Sequence, residues 1–231
     1  MIRRDYILRM LQEFFEVLSR MKALKKDQLW DEAAAALDAE FRRLLESDAS
    51  SLIQLSQTEL LALLIRGETT QSARQKTLMV TALLKEAGDI ATGQERPAEA
   101  RALYLKGLHL LLNDLALGEP SDRAEFVPGV DVFAGALADA PLPIPTQALL
   151  MQHYERTGGF AKAEDALFAI VEAAPDHPGL LDFGTAFYQR LENQSDAALS
   201  AGNLPREEIQ TGLAEFETRV KQLSPDARKA Q

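Results

Sequence analysis

An all-α fold of about ten helices, arranged as antiparallel pairs, is predicted by three observations. Apolar residues recur every three or four positions along almost the whole chain. No stretch of β-branched residues alternates with polar ones over a useful length, so no strand is expected. The periodic segments are separated by breaks rich in Gly, Pro and Ser, the residues that end helices or turn the chain.

The first helix spans 2–26, where Ile7, Met10, Leu11, Phe14, Val17, Leu18, Met21 and Leu24 make one continuous stripe. Asp31 and Glu32 lead a second through 33–45, acidic at its N-terminal end as the helix dipole favours. A Ser-Asp-Ala-Ser-Ser break separates it from a third, 52–65, with Gly67 as its stop. The fourth covers 71–92. Gly93 and Pro97 bracket its end, and Pro97 suits the first turn of a fifth at 98–117. Gly118-Glu119-Pro120 closes that helix. Residues 118–147 hold five of the ten prolines, so a short helix at 130–139 is the only regular element expected there, and Pro141–Pro145 should be extended. Helices follow at 146–157, 160–174, 179–200 and 205–222, Asn203 and Pro205 marking the last restart. Residues 224–231 should fray. The chain thus divides into an N-terminal helical half, 1–117, an irregular Pro-rich connection, 118–147, and a C-terminal half, 148–231.

The segment Tyr154-Glu155-Arg156-Thr157-Gly158-Gly159-Phe160, running on to Ala163, Leu167 and Pro175, reads as helix, tight turn, helix, stop. Ala163 sits where two helices would cross closely, and large residues fill the grooves beside such a crossing. Ala33 and Ala100 take the same place in two earlier pairs, 67 and 63 residues apart in succession. Met21/Leu24, Gly88/Ala91 and Met151/Tyr154 face them, and Leu37, Tyr104 and Leu167 follow one turn on. This pattern resembles the tetratricopeptide repeat, two units of which span about 68 residues. The resemblance is strong in the last pair, looser in the middle one and weak in the first, where alanine is abundant. It implies helix pairs stacked as a right-handed α-solenoid. The opening Met1-Ile2-Arg3-Arg4-Asp5-Tyr6-Ile7-Leu8-Arg9-Met10, together with the Tyr154–Gly158 segment, is similar to a family of uncharacterised bacterial proteins, mainly Gram-positive, over nearly the whole chain. That likeness implies a cytoplasmic helical protein and carries no assigned activity.

Composition narrows the function classes. With no cysteine among 231 residues, disulfides, thiolate metal sites and cysteine nucleophiles are excluded. A net charge of −10 argues against broad capture of nucleic acid or of an anionic membrane. The charge is uneven: residues 1–26 carry +4 and the remainder −14. No signal peptide is expected, because Asp5, Arg9, Glu13 and Glu16 interrupt the apolar core one would need. No apolar run approaches the length of a transmembrane helix.

Catalytic patterns are absent. His109, His153 and His177 share no metal-ligand spacing and read as structural or solvated side chains. Ser19-Arg20-Met21-Lys22 matches the serine–lysine element of penicillin-recognising enzymes, but without its partner motifs it is a chance match. Gly158-Gly159 lacks the strand and lysine of a phosphate loop. The scattered carboxylates read as solvated helix faces. No catalytic residue, metal or cofactor is therefore expected.

What remains is a binding surface. In a tetratricopeptide register the first helices line a concave groove, and Lys22, Lys25, Lys26, Lys85, Asp89, Gln152 and Arg156 would face it. Such a groove, mostly basic, would favour an acidic protein or peptide segment; self-association is left open. The asparagines of chaperone-tail clamps are missing from these positions. Two rivals stand beside this reading. One is a peripheral membrane adaptor acting through the basic amphipathic N-terminal helix. The other is an enzyme or small-ligand sensor with a pocket between the two halves.

Overall fold

The computed structural model describes residues 2–117 and 124–223, with side chains from residue 9 onward. Among them there are twelve α-helices and no strand: α1 Ile2–Lys26, α2 Trp30–Leu45, α3 Ala49–Gln54, α4 Gln57–Ile65, α5 Thr70–Gly93, α6 Pro97–Leu117, α7 Val130–Ala136, α8 Ile144–Arg156, α9 Phe160–Ala173, α10 Leu180–Glu192, α11 Asp196–Ala201 and α12 Arg206–Leu223. They divide into two compact units, Met1–Ala140 and Pro141–Gln231. The closing of α6 at Gly118-Glu119-Pro120 and the fraying of 224–231 lie outside the described residues.

Two expected helices are each broken in two. The segment expected at 52–65 starts early, at Ala49, and stops at Gln54. Ser56 then opens α4 with a reciprocal cap: its hydroxyl accepts from Glu59 N, and Glu59 accepts from Ser56 N. The segment expected at 179–200 stops at Glu192, and Ser195 caps α11 by accepting from Ala198 N. In both cases the apolar period runs on across the cap, so hydrophobic patterning alone joins what the capping hydroxyl separates. The stretch expected to be extended through Pro145 instead enters α8 at Ile144, with Pro145 in the first turn, where its missing N–H is harmless.

The helix hairpins share one turn. Between α1 and α2, α5 and α6, α8 and α9, and α11 and α12, one residue takes positive φ: Gln28 at 58°, Glu95 at 59°, Gly158 at 79° and Asn203 at 57°. In each, that residue's N–H donates to the carbonyl three residues back and the next N–H to the carbonyl five back. Glu95 N to Thr92 O and Arg96 N to Ala91 O are one pair; Gly158 N to Glu155 O and Gly159 N to Tyr154 O are the corresponding one. This satisfies the last carbonyls of the incoming helix. Ala33, Ala100 and Ala163 each fall five residues after the positive-φ position of the first three turns, and all are buried.

The side chains at the equivalent position of each incoming helix differ in size. Met21 precedes the first turn by seven residues and Met151 the third, and both are buried. Gly88 holds the same place in the second hairpin, with the ring of Tyr104 lying over it. A Cβ built at Gly88 would fall 2.6 Å from Tyr104 Cδ1 and 2.7 Å from Cζ.

In the first unit α5 and α6 form the centre. α1 and α2 pack on α5, α3 on α6, α4 on both α5 and α6, and α7 on α6. The core runs through Phe14, Phe41, Leu83, Leu108, Leu111 and Phe133, each fully buried. Trp30 covers Gly93, where a Cβ would come within 2.6 Å of the indole. In the second unit α9 packs on α8, and α12 on α9 and α10, around Phe187, Tyr188 and Phe216. Gly184 admits the Phe216 ring, since a Cβ there would fall 2.6 Å from Cε2. Gly202 O accepts from Ala161 N at 3.0 Å, tying the second turn of this unit to the first.

Candidate functional site

Among the expected binding residues, the structure draws together Lys25, Lys85 and Asp89. Lys85 and Asp89 lie one turn apart on α5, and Lys85 Nζ is 2.6 Å from Asp89 Oδ2. Lys25, in the last turn of α1, reaches across to the same oxygen at 2.5 Å. Its ammonium is also 2.5 Å from Glu86 Oε2, an ion pair without hydrogen-bond alignment. Tyr104 Oη, from α6, donates to Asp89 Oδ1 at 2.9 Å. Three helices thus meet in one knot of two ammonium groups, two carboxylates and a phenol.

The knot sets its own protonation. Burial works against charge on Lys25, but hydrogen bonding to Asp89 and pairing with Glu86 outweigh it, and the amine is held above its ordinary value. Burial likewise opposes the Asp89 carboxylate, yet Lys25 and Lys85 hold it below the usual carboxylate range. Tyr104 is pushed up to about 12, first by burial and then by the charge of Asp89. Two positive and two negative charges cancel, so the knot is a helix clasp rather than a source of positive field. Glu86 and the Tyr104 hydroxyl escape a sequence reading. The Lys85–Asp89 spacing is legible, whereas Lys25 and Glu86 are joined only by packing.

Lys22 and Lys26 lie one turn apart on α1 and are exposed. Lys22 borders a cleft of about 690 Å³ whose walls include Phe15, Leu18, Gln75 and Phe126. Phe15 is 47% exposed there and meets Phe126 edge to face at 5.5 Å between centroids. Of the α1 stripe, Met10, Phe14, Leu18 and Met21 are buried and Leu11, Val17 and Leu24 half-buried. Ile7 lies outside the described side chains. In the second unit Gln152 and Arg156 are exposed on α8.

Two further hollows lie in the first unit. A cleft of about 620 Å³ is walled by Thr92, Arg101, Tyr104 and Asp139, and Arg101 donates to the carbonyls of Leu137 and Ala140. A more apolar groove of about 400 Å³ runs between α4, α5 and α6 past Leu61, Ile65, Leu110 and Leu117; the Arg74–Asp114 ion pair, 3.0 Å, forms one edge. In the second unit Tyr188 Oη donates to Glu164 at 2.6 Å. Burial, ahead of the neighbouring carboxylates, raises the Glu164 acid above its usual range.

His109 is buried on α6, His153 half-buried on α8, and His177 exposed in the turn before α10. Among the described residues no three His, Asp or Glu side chains converge as metal ligands, and no helix is long and apolar enough to cross a membrane. Ser19 and Lys22 are both exposed on α1.

The sequence matches the family of unknown function DUF6483 over residues 1–221, and the chain belongs to that family. No curated protein and no solved structure matches it.

Proposed function

We propose that this protein is a non-catalytic, cytoplasmic helical scaffold that recognises a segment of another protein, its hairpins stacking in the manner of a tetratricopeptide solenoid. The observation that carries the reading is the recurrent hairpin. The same turn, hydrogen bonds and buried alanine appear in α1/α2, α5/α6 and α8/α9. Repeated hairpins of this kind present successive first-helix faces, which serve as binding surfaces. The polar side chains that a reaction would need are engaged in holding helices together, as in the Lys25–Asp89–Tyr104 knot and the Tyr188–Glu164 pair.

The contact positions we assign are Lys22, Lys25, Lys26, Lys85 and Asp89 on the first unit, and Gln152 and Arg156 on the second. Because the knot is neutral, attraction for an acidic segment rests on Lys22 and Lys26 in the first unit, with the aromatic cleft beside Lys22 offering an apolar anchor. Rim charges act mainly on association rate and salt dependence, and buried apolar anchors on affinity. The experiment is capture from lysate by the wild-type chain and by the Lys22→Glu/Lys26→Glu variant at low and high salt. A specific partner should be retained by the wild type, lost progressively with salt, and weakened in the variant. A partner held equally by both proteins at every salt concentration overturns the charge assignment. Absence of any specific partner overturns the scaffold reading.

A further inference from the structure

Lys106, His109 and Asn113 stand about one turn apart along α6, at the edge of the face that α3 and α4 approach. Lys106 Nζ donates to the carbonyl of Leu55, in the junction between the two short helices, at 2.5 Å. Two turns on, Asn113 borders the groove with Leu61 and Ile65 of α4. His109 lies between them, about one turn from each, and is 8% exposed.

The neighbours of His109 determine its tautomer. Asn113 Nδ2 is 2.8 Å from the carbonyl oxygen of His109 and 2.9 Å from Nε2 of the ring. A carbonyl oxygen only accepts, so the amide presents its nitrogen here, and Nε2 must accept as well. The ring proton is then on Nδ1, which is buried without a hydrogen-bond partner. A second proton would go to Nε2 and set two donors against each other. The charged groups around the ring do not help it. Lys106, one turn away, carries the same sign. Glu59 of α4 interacts with Lys106, α3 contains no charged residue, and from α5 the Arg74 guanidinium is closed on Asp114.

We propose that α3–α4 is an acid-opened flap with His109 as its latch. The flap consists of helices of six and nine residues, and the Ser56–Glu59 cap satisfies the start of α4 without help from α6. Its underside carries Leu52, Leu60 and Leu64, all buried when it is closed. Closed, the ring resists protonation, first through burial and then through Lys106, so its pKa lies below the ordinary imidazole value. Lifted, the ring meets water and regains a pKa of about 6.5. Below that pH the open form binds a proton that the closed form refuses, so opening rises as pH falls, by up to about tenfold per pH unit for one proton. The inference stands independently of the scaffold reading; it makes the apolar surface bordering the α4–α6 groove responsive to pH.

Hydrogen–deuterium exchange of the full chain at pH 7.5, 6.5 and 5.5, corrected for intrinsic exchange rates, tests it. Residues 49–65 should lose protection by about fivefold between pH 6.5 and 5.5, while the centres of α5 and α9 hold theirs. His109→Gln should abolish the pH-dependent step. Unchanged protection, a loss that persists in His109→Gln, or a loss spread evenly over the first unit overturns the proposal. Should that variant fail to fold, the His109 ring resonances of the wild type decide: a titration midpoint well below 6.5 supports the latch, and one at or above 6.5 overturns it.

Discussion

Replacing Gly88 with Ala tests the packing of the central hairpin most sharply, because two effects of opposite sign compete there. On an exposed helix the substitution would stabilise by about 1 kcal/mol, since glycine is the poorer helix former. Here the new methyl would lie 2.6 Å from Tyr104 Cδ1 and 2.7 Å from Cζ, against an optimal carbon–carbon separation of about 3.5–4.0 Å. The ring must therefore retreat by about 1 Å. It has little room: Tyr104 is 8% exposed, and its hydroxyl donates to Asp89 at 2.9 Å. Overpacking of this kind costs roughly 1–3 kcal/mol. Loss of a hydrogen bond to a charged group costs about 1.5–3 kcal/mol more. Set against the propensity gain, the net destabilisation should be about 1.5–5 kcal/mol. Urea unfolding followed by circular dichroism measures it. The double variant Gly88→Ala/Tyr104→Leu supplies the control, because leucine stands at this position in the other two hairpins and leaves space for the methyl. It should recover the overpacking component and not the hydrogen bond. If Gly88→Ala proves more stable than the wild type, propensity has won and the close approach of α5 and α6 is not what holds this hairpin.

Three other outcomes follow from the same geometry. Ala163→Leu should destabilise the second unit by roughly 1–3 kcal/mol, because Ala163 has no exposed surface between α8 and α9; an unchanged melting temperature would refute the crossing. The clasp should fail at alkaline pH. Tyr104 and Lys25 both have folded pKa values above their unfolded ones, so their stabilisation is complete below about pH 10 and is lost as pH rises through the folded values, near 12 for Tyr104. Urea titrations at pH 8 and 11 should show that loss, with a smaller one in Tyr104→Phe; equal losses in both proteins would remove Tyr104 from the account. Ser56→Ala should cost about 0.5–2 kcal/mol by opening the cap of α4, and identical exchange rates in residues 57–60 would show that the cap contributes nothing.

The alkaline prediction also separates what can be read locally from what cannot. The Lys85–Asp89 pair is visible as a one-turn spacing on a single helix. Its neutralisation is not, because Lys25 and Glu86 are 61 residues apart in the chain and Tyr104 comes from a third helix. A reading that counts lysines by register therefore finds a positive surface where folding has built a neutral clasp. The missed helix breaks at Ser56 and Ser195 have a different cause. Both serines interrupt the backbone without interrupting the apolar period, and only the Glu at the third position after Ser56 hints at the capping box.

By itself the sequence determined the helical class and most of the helix ends, because periodicity, caps, glycine and proline act within a few residues of where they stand. It also determined that cysteine chemistry has no part in this protein. Tertiary structure alone decided how charge is spent, which tautomer His109 adopts, and that Gly88 exists to seat a tyrosine. Each of those depends on side chains distant in sequence or on the particular rotamer of a neighbour, and burial makes such contacts decisive by removing the water that would otherwise satisfy every polar group alike.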